Sequence, residues 1–122
     1  MVDSVVIICE DSPFGKNSVV ESIRMAAGLL ALDDLESVKV ILMGDAVYFL
    51  NKDLNPKTIN VGEFTNIFRL VDLSGLEIYI HDESLKEAGI DPSNLVLIDN
   101  VDVVDISKIS EAISNANMTF KY

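Results

Sequence analysis

Two short runs of Val and Ile constrain the fold of this chain more than any other sequence feature. Val2 to Cys9 and Val38 to Met43 are both of strand length, and both are nearly continuous in apolar residues rather than strictly alternating. A strand with apolar residues on both sides is buried on both faces, which is typical of a parallel sheet covered by helices. The two runs therefore predict an α/β fold.

The remaining segments alternate between helical and extended patterns. Helices are predicted at about 17–33, 63–73 and 105–116, and further strands at 76–80, 95–98 and 118–122. Successive strands separated by connections of helical length form a parallel sheet with helices on both faces. We therefore expect one domain over residues 1–122, built as a flavodoxin-like three-layer sandwich with a five-stranded, mostly parallel sheet.

The third predicted strand runs directly into a short helix. Leu76 to Ile80 alternates, which predicts a strand with one apolar face from which Tyr79 points away. Asp82 to Ala88 follows with helical spacing, and Gly89 is placed to end that helix. His81 consequently lies at the joint between strand and helix, where ligands and reactive groups gather in parallel sheets.

Composition and charge exclude several classes of function. The 122 residues include 20 acidic and 9 basic side chains, which gives a formal net charge of −11 and leaves no basic stretch for a nucleic-acid backbone. No apolar run approaches the roughly 20 residues that span a bilayer. The single cysteine fits a reducing compartment. With no signal peptide evident, we expect a cytoplasmic protein that binds neither nucleic acid nor membrane.

Parallel topology also predicts which residues share one edge of the sheet. The carboxyl ends of the strands should bring together a set of polar and small residues that could bind a ligand: Asp11, Gly44, Asp45, His81 and Asp82, with Cys9, Glu10, Asp99 and Asn100 nearby.

Known site chemistries fit this set poorly. His81 is the only histidine, so one chain cannot build a multi-histidine metal site, and we expect no metal and no cofactor. The segment 12–17 lacks the glycine spacing and the Gly-Lys-Ser/Thr ending of a phosphate-binding loop. The acids could hold Mg²⁺ as in a receiver domain, but the third strand ends in His81 rather than aspartate. A Mg²⁺-dependent switch is therefore the weakest alternative.

Cys9 is the alternative candidate for a reactive group. Glu10 and Asp11 follow it directly, and neighbouring negative charge disfavours a thiolate. Because a lone cysteine is also among the most frequently buried residue types, Cys9 fits a small core residue at least as well as a nucleophile.

The order of elements and three local stretches resemble the DsrE/DsrF-like family of sulfur-relay proteins, most closely its DsrF or TusC branch. The stretches are Asp-Ser-Pro-Phe-Gly at 11–15, Gly-Asp-Ala-Val-Tyr-Phe-Leu at 44–50, and Ile-Tyr-Ile-His-Asp-Glu-Ser-Leu-Lys-Glu-Ala-Gly-Ile at 78–90.

The resemblance implies a flavodoxin-like subunit that assembles into trimers or hexamers, either with itself or with related DsrE-like subunits. Active members of the family carry a cysteine that accepts persulfide sulfur, and the matching position in this chain is His81. An imidazole nitrogen cannot carry a persulfide. The resemblance therefore implies an accessory subunit of a sulfur-relay assembly, with a sulfur-carrier protein as a further candidate partner.

Two alternatives remain open from the sequence: a small-molecule-binding protein, and a persulfide carrier that uses Cys9. Oligomerisation has its own support in the residues. Val20, Met25 and Leu29 add apolar surface to the polar side of the first helix, and residues 46–50 are too apolar to stand alone in water. Both features predict burial against another chain.

Overall fold

A computed structural model describes residues 4–10, 18–31, 35–50, 71, 76–95 and 100–121 of the chain, with only the backbone described at positions 18 and 50. The strands are β1 (Ser4–Cys9), β2 (Ser37–Leu42), β3 (Glu77–His81), β4 (Val101–Val104) and β5 (Met118–Lys121). The α-helices are α1 (Ser18–Leu30), α2 (Asp82–Ala88) and α3 (Ile106–Asn115), and two 3₁₀ helices span Gly44–Leu50 and Pro92–Asn94.

The five strands form one sheet in the order β4-β3-β2-β1-β5, and every neighbouring pair is parallel. This confirms the predicted five-stranded parallel α/β architecture. The order differs from the 2-1-3-4-5 order of flavodoxin itself. In this chain the winding reverses between β1 and β5, so α3 returns across the sheet from one edge to the other.

Side chains alternate between two apolar clusters on opposite faces of the sheet, as the pleat requires. Val5, Ile7 and Cys9 of β1 point into the larger cluster, which α1, the first 3₁₀ helix and α2 complete. Val6 points into the smaller cluster, which α3 covers through Ile109. The molecule therefore has the three predicted layers, with unequal cores.

Tyr79 points away from Ile78 and Ile80, as the alternation predicted, but the expectation that β3 has only one apolar face is wrong. Tyr79 is 7% exposed and packs in the smaller cluster with Val6, Ile41 and Ile109. The alternation of Glu77 and Tyr79 with isoleucines suggests one apolar face, whereas α3 covers the second face and buries the aromatic ring.

The predicted position of the fourth strand also needs correction. The strand that pairs with β3 is β4 at Val101–Val104, in register with Ile78 to His81. The sequence favoured 95–98 because that run is more apolar; Leu95 is buried and forms an isolated bridge, and 96–99 lie outside the described residues. β4 is an edge strand, so one of its sides meets solvent and its pattern is mixed.

The apolar surface that suggested contact with another chain is largely buried within this chain. Val20 belongs to the larger cluster, and Met25 and Leu29 pack against it. Ala46, Val47 and Phe49 are fully buried in the same cluster. These residues therefore give no separate evidence for an oligomer. The predicted helix at 63–73 lies outside the described residues, apart from the buried Val71.

Among the described residues, no helix has the length and apolar character that crossing a membrane requires.

Candidate functional site at the carboxyl end of β3

His81 is the last residue of β3 and the N-cap of α2, with an extended backbone at φ −72° and ψ 123°. Its position is set by the change of backbone conformation from strand to helix. The side chain is 14% exposed, so most of the ring is held by the protein while an edge meets solvent. Gly89 ends α2 in the left-handed conformation, as predicted, so the helix makes only two turns behind the histidine.

Ser84 holds the imidazole ring. The Ser84 Oγ and His81 Nδ1 atoms are 2.7 Å apart, and the backbone N–H of Gly44 donates to the same Oγ at 3.0 Å. Ser84 is buried, and it connects α2 to the segment that follows β2. Two neighbouring strand ends are thus joined through one hydroxyl group.

The hydrogen-bond inventory of Ser84 favours one tautomer of His81. A hydroxyl has one hydrogen to donate, and among the described residues His81 Nδ1 is its only acceptor. Because a buried donor without an acceptor is costly, the Ser84 hydroxyl donates to Nδ1, and neutral His81 carries its proton on Nε2. The ring therefore presents an N–H donor on its other side.

Asp82 lies beside that second nitrogen. Its Oδ1 is 3.9 Å from His81 Nε2, too far for a hydrogen bond, and it accepts from the backbone N–H of Glu83 at 2.7 Å. The carboxylate lies in the first turn of α2 and supplies negative charge next to the ring.

Gly44 brings the end of β1 to the same region. It has φ +53°, a conformation that favours glycine, and its preceding residue Met43 donates its N–H to the carbonyl of Cys9 at 3.0 Å. A side chain at Gly44 would approach the carbonyl oxygen of Glu10 at 3.5 Å. The strand ends of β1, β2 and β3 therefore converge here, as the parallel topology predicts.

A hollow of about 220 Å³ lies beside Ser84, between α2 and the first 3₁₀ helix. It is lined by Gly44, Asp45, Tyr48, Ser84, Glu87 and Ala88. Its charged groups are carboxylates, so it suits a neutral or cationic group better than an anion.

The structure brings together four of the five predicted ligand-binding residues. Gly44 and Asp45 line the hollow together with Ser84. His81 contacts Ser84, and Asp82 lies beside His81. Asp11 lies outside the described residues.

Asn100 belongs to the opposite end of the sheet, because it precedes β4 and its carbonyl accepts from the N–H of Ile78 at 2.9 Å. The expectation that it joins the carboxyl-end cluster is therefore wrong, and the cause is the displaced fourth strand. Asp99 lies outside the described residues.

Cys9 lies inside the larger core and is 0% exposed. A persulfide carrier needs an accessible thiol, so this burial weighs against Cys9 as the reacting group.

Ser84 is the residue of this site that the sequence analysis did not identify. Its spacing of three from His81, across a helix start, is the signal that could have linked the two side chains.

Among the residues that the structure describes, no three His, Cys, Asp or Glu side chains group closely enough to hold a metal ion. A Mg²⁺-dependent switch therefore gains no support from the described strand ends.

The model of the DsrE/DsrF-like family matches residues 3–122. The chain belongs to the DsrE/DsrF-like family. This result confirms the resemblance seen in the strand-end stretches.

Curated proteins similar to this DsrE/DsrF-like chain include two named Protein TusC homolog. The one from Vibrio vulnificus (strain CMCP6) is 28% identical over 82 residues, covering 66% of this chain and 68% of that protein. The one from Pasteurella multocida (strain Pm70) is 29% identical over 91 residues, covering 74% and 76%.

Solved structures share the fold of this DsrE/DsrF-like chain. The ychN protein from E. coli superimposes with a TM-score of 0.77 at 23% identity, covering 98% of this chain and 99% of that one. MTH1491 from Methanobacterium thermoautotrophicum gives a TM-score of 0.70 at 20% identity over the whole of both chains. At these identities the likeness concerns the fold alone.

Proposed function

We propose that this chain is an accessory subunit of an intracellular sulfur-relay assembly, one that supports persulfide transfer without accepting sulfur on a cysteine of its own. The observation that carries the proposal is the complete burial of Cys9. The resemblance to the family adds to it, because it implies that His81 occupies the position of the sulfur-accepting cysteine. The similarity to proteins named TusC homolog supports the same role. The lone, buried thiol fits a cytoplasmic location, which is part of the proposal.

In this role the site at His81 contacts a partner. Ser84 fixes the ring, and Nε2–H is the group that it can offer to an acceptor such as the sulfur of a neighbouring subunit. The described side chains around it are rich in acid, with Asp45, Asp82 and Glu87 close by. The partner surface is therefore expected to be basic, and binding should weaken as salt increases.

The expected partners are related DsrE-like subunits, in a trimer or hexamer, and a sulfur-carrier protein. Light scattering after size-exclusion chromatography tests assembly, with the chain alone and mixed with a cysteine-bearing DsrE-like subunit. We expect a particle of at least three subunits. A chain that stays monomeric at micromolar concentration in both samples contradicts the proposal.

A sulfur-loading experiment tests the absence of an acceptor. The folded chain is incubated with glutathione persulfide, alkylated and measured by intact mass spectrometry. We expect no added sulfur on the wild-type chain and one added sulfur on His81→Cys, because the ring position has a solvent-exposed edge. Loading of native Cys9 would instead establish the persulfide-carrier alternative.

A small-molecule-binding role is the second candidate, and the hollow beside Ser84 is the observation that favours it. Its size admits a ligand of a few heavy atoms. If the chain remains monomeric but Ser84→Leu abolishes a thermal shift produced by a small cationic or neutral metabolite, this second role replaces the first.

A further inference from the structure

A second cavity, of about 310 Å³, lies between α3 and the amino-terminal parts of β1, β2 and β3. Val6 and the ring of Tyr79 form apolar lining on the sheet side, and Ala112 and Ala116 form it on the helix side. Along β3 the cavity reaches Tyr79 but not His81, so it is separate from the site described above.

The Tyr79 hydroxyl is an unused donor in this cavity. The residue is 7% exposed, and within the described part of the chain its hydroxyl has no hydrogen-bond partner. Among the described residues every polar side-chain atom that is sealed from solvent has a partner, so the Tyr79 hydroxyl oxygen reaches solvent, and the residue lines the cavity. The hydroxyl is therefore free to donate to a molecule that enters the cavity.

Lys108 provides an unpaired positive charge at the same place. Over the described ranges, four other basic side chains each have a carboxylate within 4 Å: Arg24, Lys39, Lys86 and Lys121. Lys108 has none there, and it lines the cavity. In a chain with a net charge of −11, an unpaired ammonium beside an unpaired phenol is an arrangement that suits an anionic acceptor.

Two further donors lie on the β2 side of the cavity. The Lys39 ammonium donates to Ser37 Oγ at 2.8 Å and is 3.7 Å from the Glu77 carboxylate. Since Ser37 Oγ accepts this bond, its own hydroxyl hydrogen can turn toward the cavity.

The surrounding acids limit the charge of the ligand. Burial is the largest cause that raises the pKa of Tyr79, with Glu77 next, while Lys108 lowers it; Asp102 and Glu111 raise it further. The phenol therefore stays protonated near neutral pH and acts as a donor. The same negative neighbours favour a ligand with one negative charge over a dianion.

We propose that this cavity binds a small organic acid as its carboxylate monoanion. The carboxylate oxygens accept from the Tyr79 hydroxyl and the Lys108 ammonium, and the short carbon chain packs against Val6 and Ala112. The cavity is larger than a bare oxyanion requires, and its apolar lining accounts for the additional space. This binding does not depend on the proposed sulfur-relay role.

The test is an NMR titration of the ¹⁵N-labelled full chain with sodium butyrate at constant ionic strength. We expect saturable shifts at the amides of Tyr79, Lys108 and Ala112 and none at His81. Tyr79→Phe and Lys108→Met should each raise the dissociation constant for butyrate about tenfold, since each removes a hydrogen bond to a charged group. Tyr79→Phe keeps the buried ring, so the fold persists.

Three controls separate this binding from general effects. Lys86→Met removes the charge of another exposed lysine, on α2 and away from the cavity. It should change the dissociation constant for butyrate by less than about twofold. n-Butanol should give no saturable shifts. Equal binding of butanol, equal loss in Lys86→Met, or the absence of saturable shifts with butyrate would each overturn the proposal.

Discussion

At the scale of single residues, one hydroxyl group organises the candidate site. Ser84 accepts from the Gly44 N–H and contacts His81 Nδ1 at 2.7 Å, so it fixes both the loop after β2 and the orientation of the ring. A serine so placed is a positioning residue, and its effect on the ring can be measured directly because the chain has only one histidine.

The first prediction concerns the tautomer of His81. In mildly alkaline buffer, long-range ¹H–¹⁵N spectra of the wild-type chain should show the Nε2–H form almost alone. Ser84→Ala should give a mixture of the two neutral tautomers, because Nδ1 loses its donor, and should lower the free energy of unfolding by about 1 kcal/mol. Ser110→Ala, at an exposed position on α3, is the control and should change neither. A wild-type Nδ1–H tautomer would refute the assignment.

The second prediction concerns Cys9. Because its side chain is fully buried in the larger core, the thiol should react with iodoacetamide only through unfolding. The alkylation rate should therefore rise with urea in parallel with the unfolded fraction, and in native buffer it should be at least about a thousandfold slower than in the denatured chain. Rapid alkylation in native buffer would show an accessible thiol and revive the carrier alternative.

At the scale of elements, α3 is the helix that covers the second face of the sheet in the described part of the chain. Its Asp105 N-cap accepts from the Lys108 N–H at 2.9 Å, and Ile109 is its one fully buried side chain. The smaller cluster therefore has one fully buried residue from the helix, with Ala112 and Ile113 packed against it, whereas the larger cluster is shared among several elements.

The third prediction follows from the burial of Ile109. Ile109→Ala should lower the free energy of unfolding by about 2–5 kcal/mol, since it empties a site packed against Val6, Ile41 and Tyr79. Ile106→Ala on the same helix is the matched control, and it should change stability by less than about 0.5 kcal/mol because Ile106 is 52% exposed. Urea denaturation measures both. Equal effects would mean that α3 does not dock as described.

At the scale of the whole molecule, the net charge of −11 is the dominant property. Most described ion pairs lie at exposed side chains, where each stabilises little, so they do not offset the general repulsion among the acids. Such a chain is held together by its apolar layers against its own charge.

The fourth prediction is that added salt stabilises the folded chain, whereas it should weaken binding to a basic partner. The melting temperature should rise by a few degrees between low salt and about 0.5 M NaCl, because screening reduces repulsion among the acids. KCl should act alike, which separates screening from specific ion effects. A melting temperature that falls with either salt would show that ion pairs outweigh repulsion.

The sequence by itself determined the parallel α/β class, the strand-to-helix joint at His81 and the gathering of Gly44 and Asp45 with it. These features follow from local rules: apolar runs on both faces imply a doubly covered strand, and parallel strands bring their carboxyl ends together. Gly89 likewise predicted the end of α2, because glycine readily adopts the left-handed conformation found there.

Only the tertiary structure decided which apolar residues need a partner and which strand borders β3. In the sequence, Tyr79, Val20 and Phe49 lie outside the predicted apolar faces of the core. In the structure each is buried within the chain. The edge strand β4 has a mixed pattern because one of its sides meets solvent, so a more apolar run upstream misled the prediction. The contact of Ser84 with Gly44 was equally hidden, since it joins residues 40 positions apart that meet only when β2 and β3 pair.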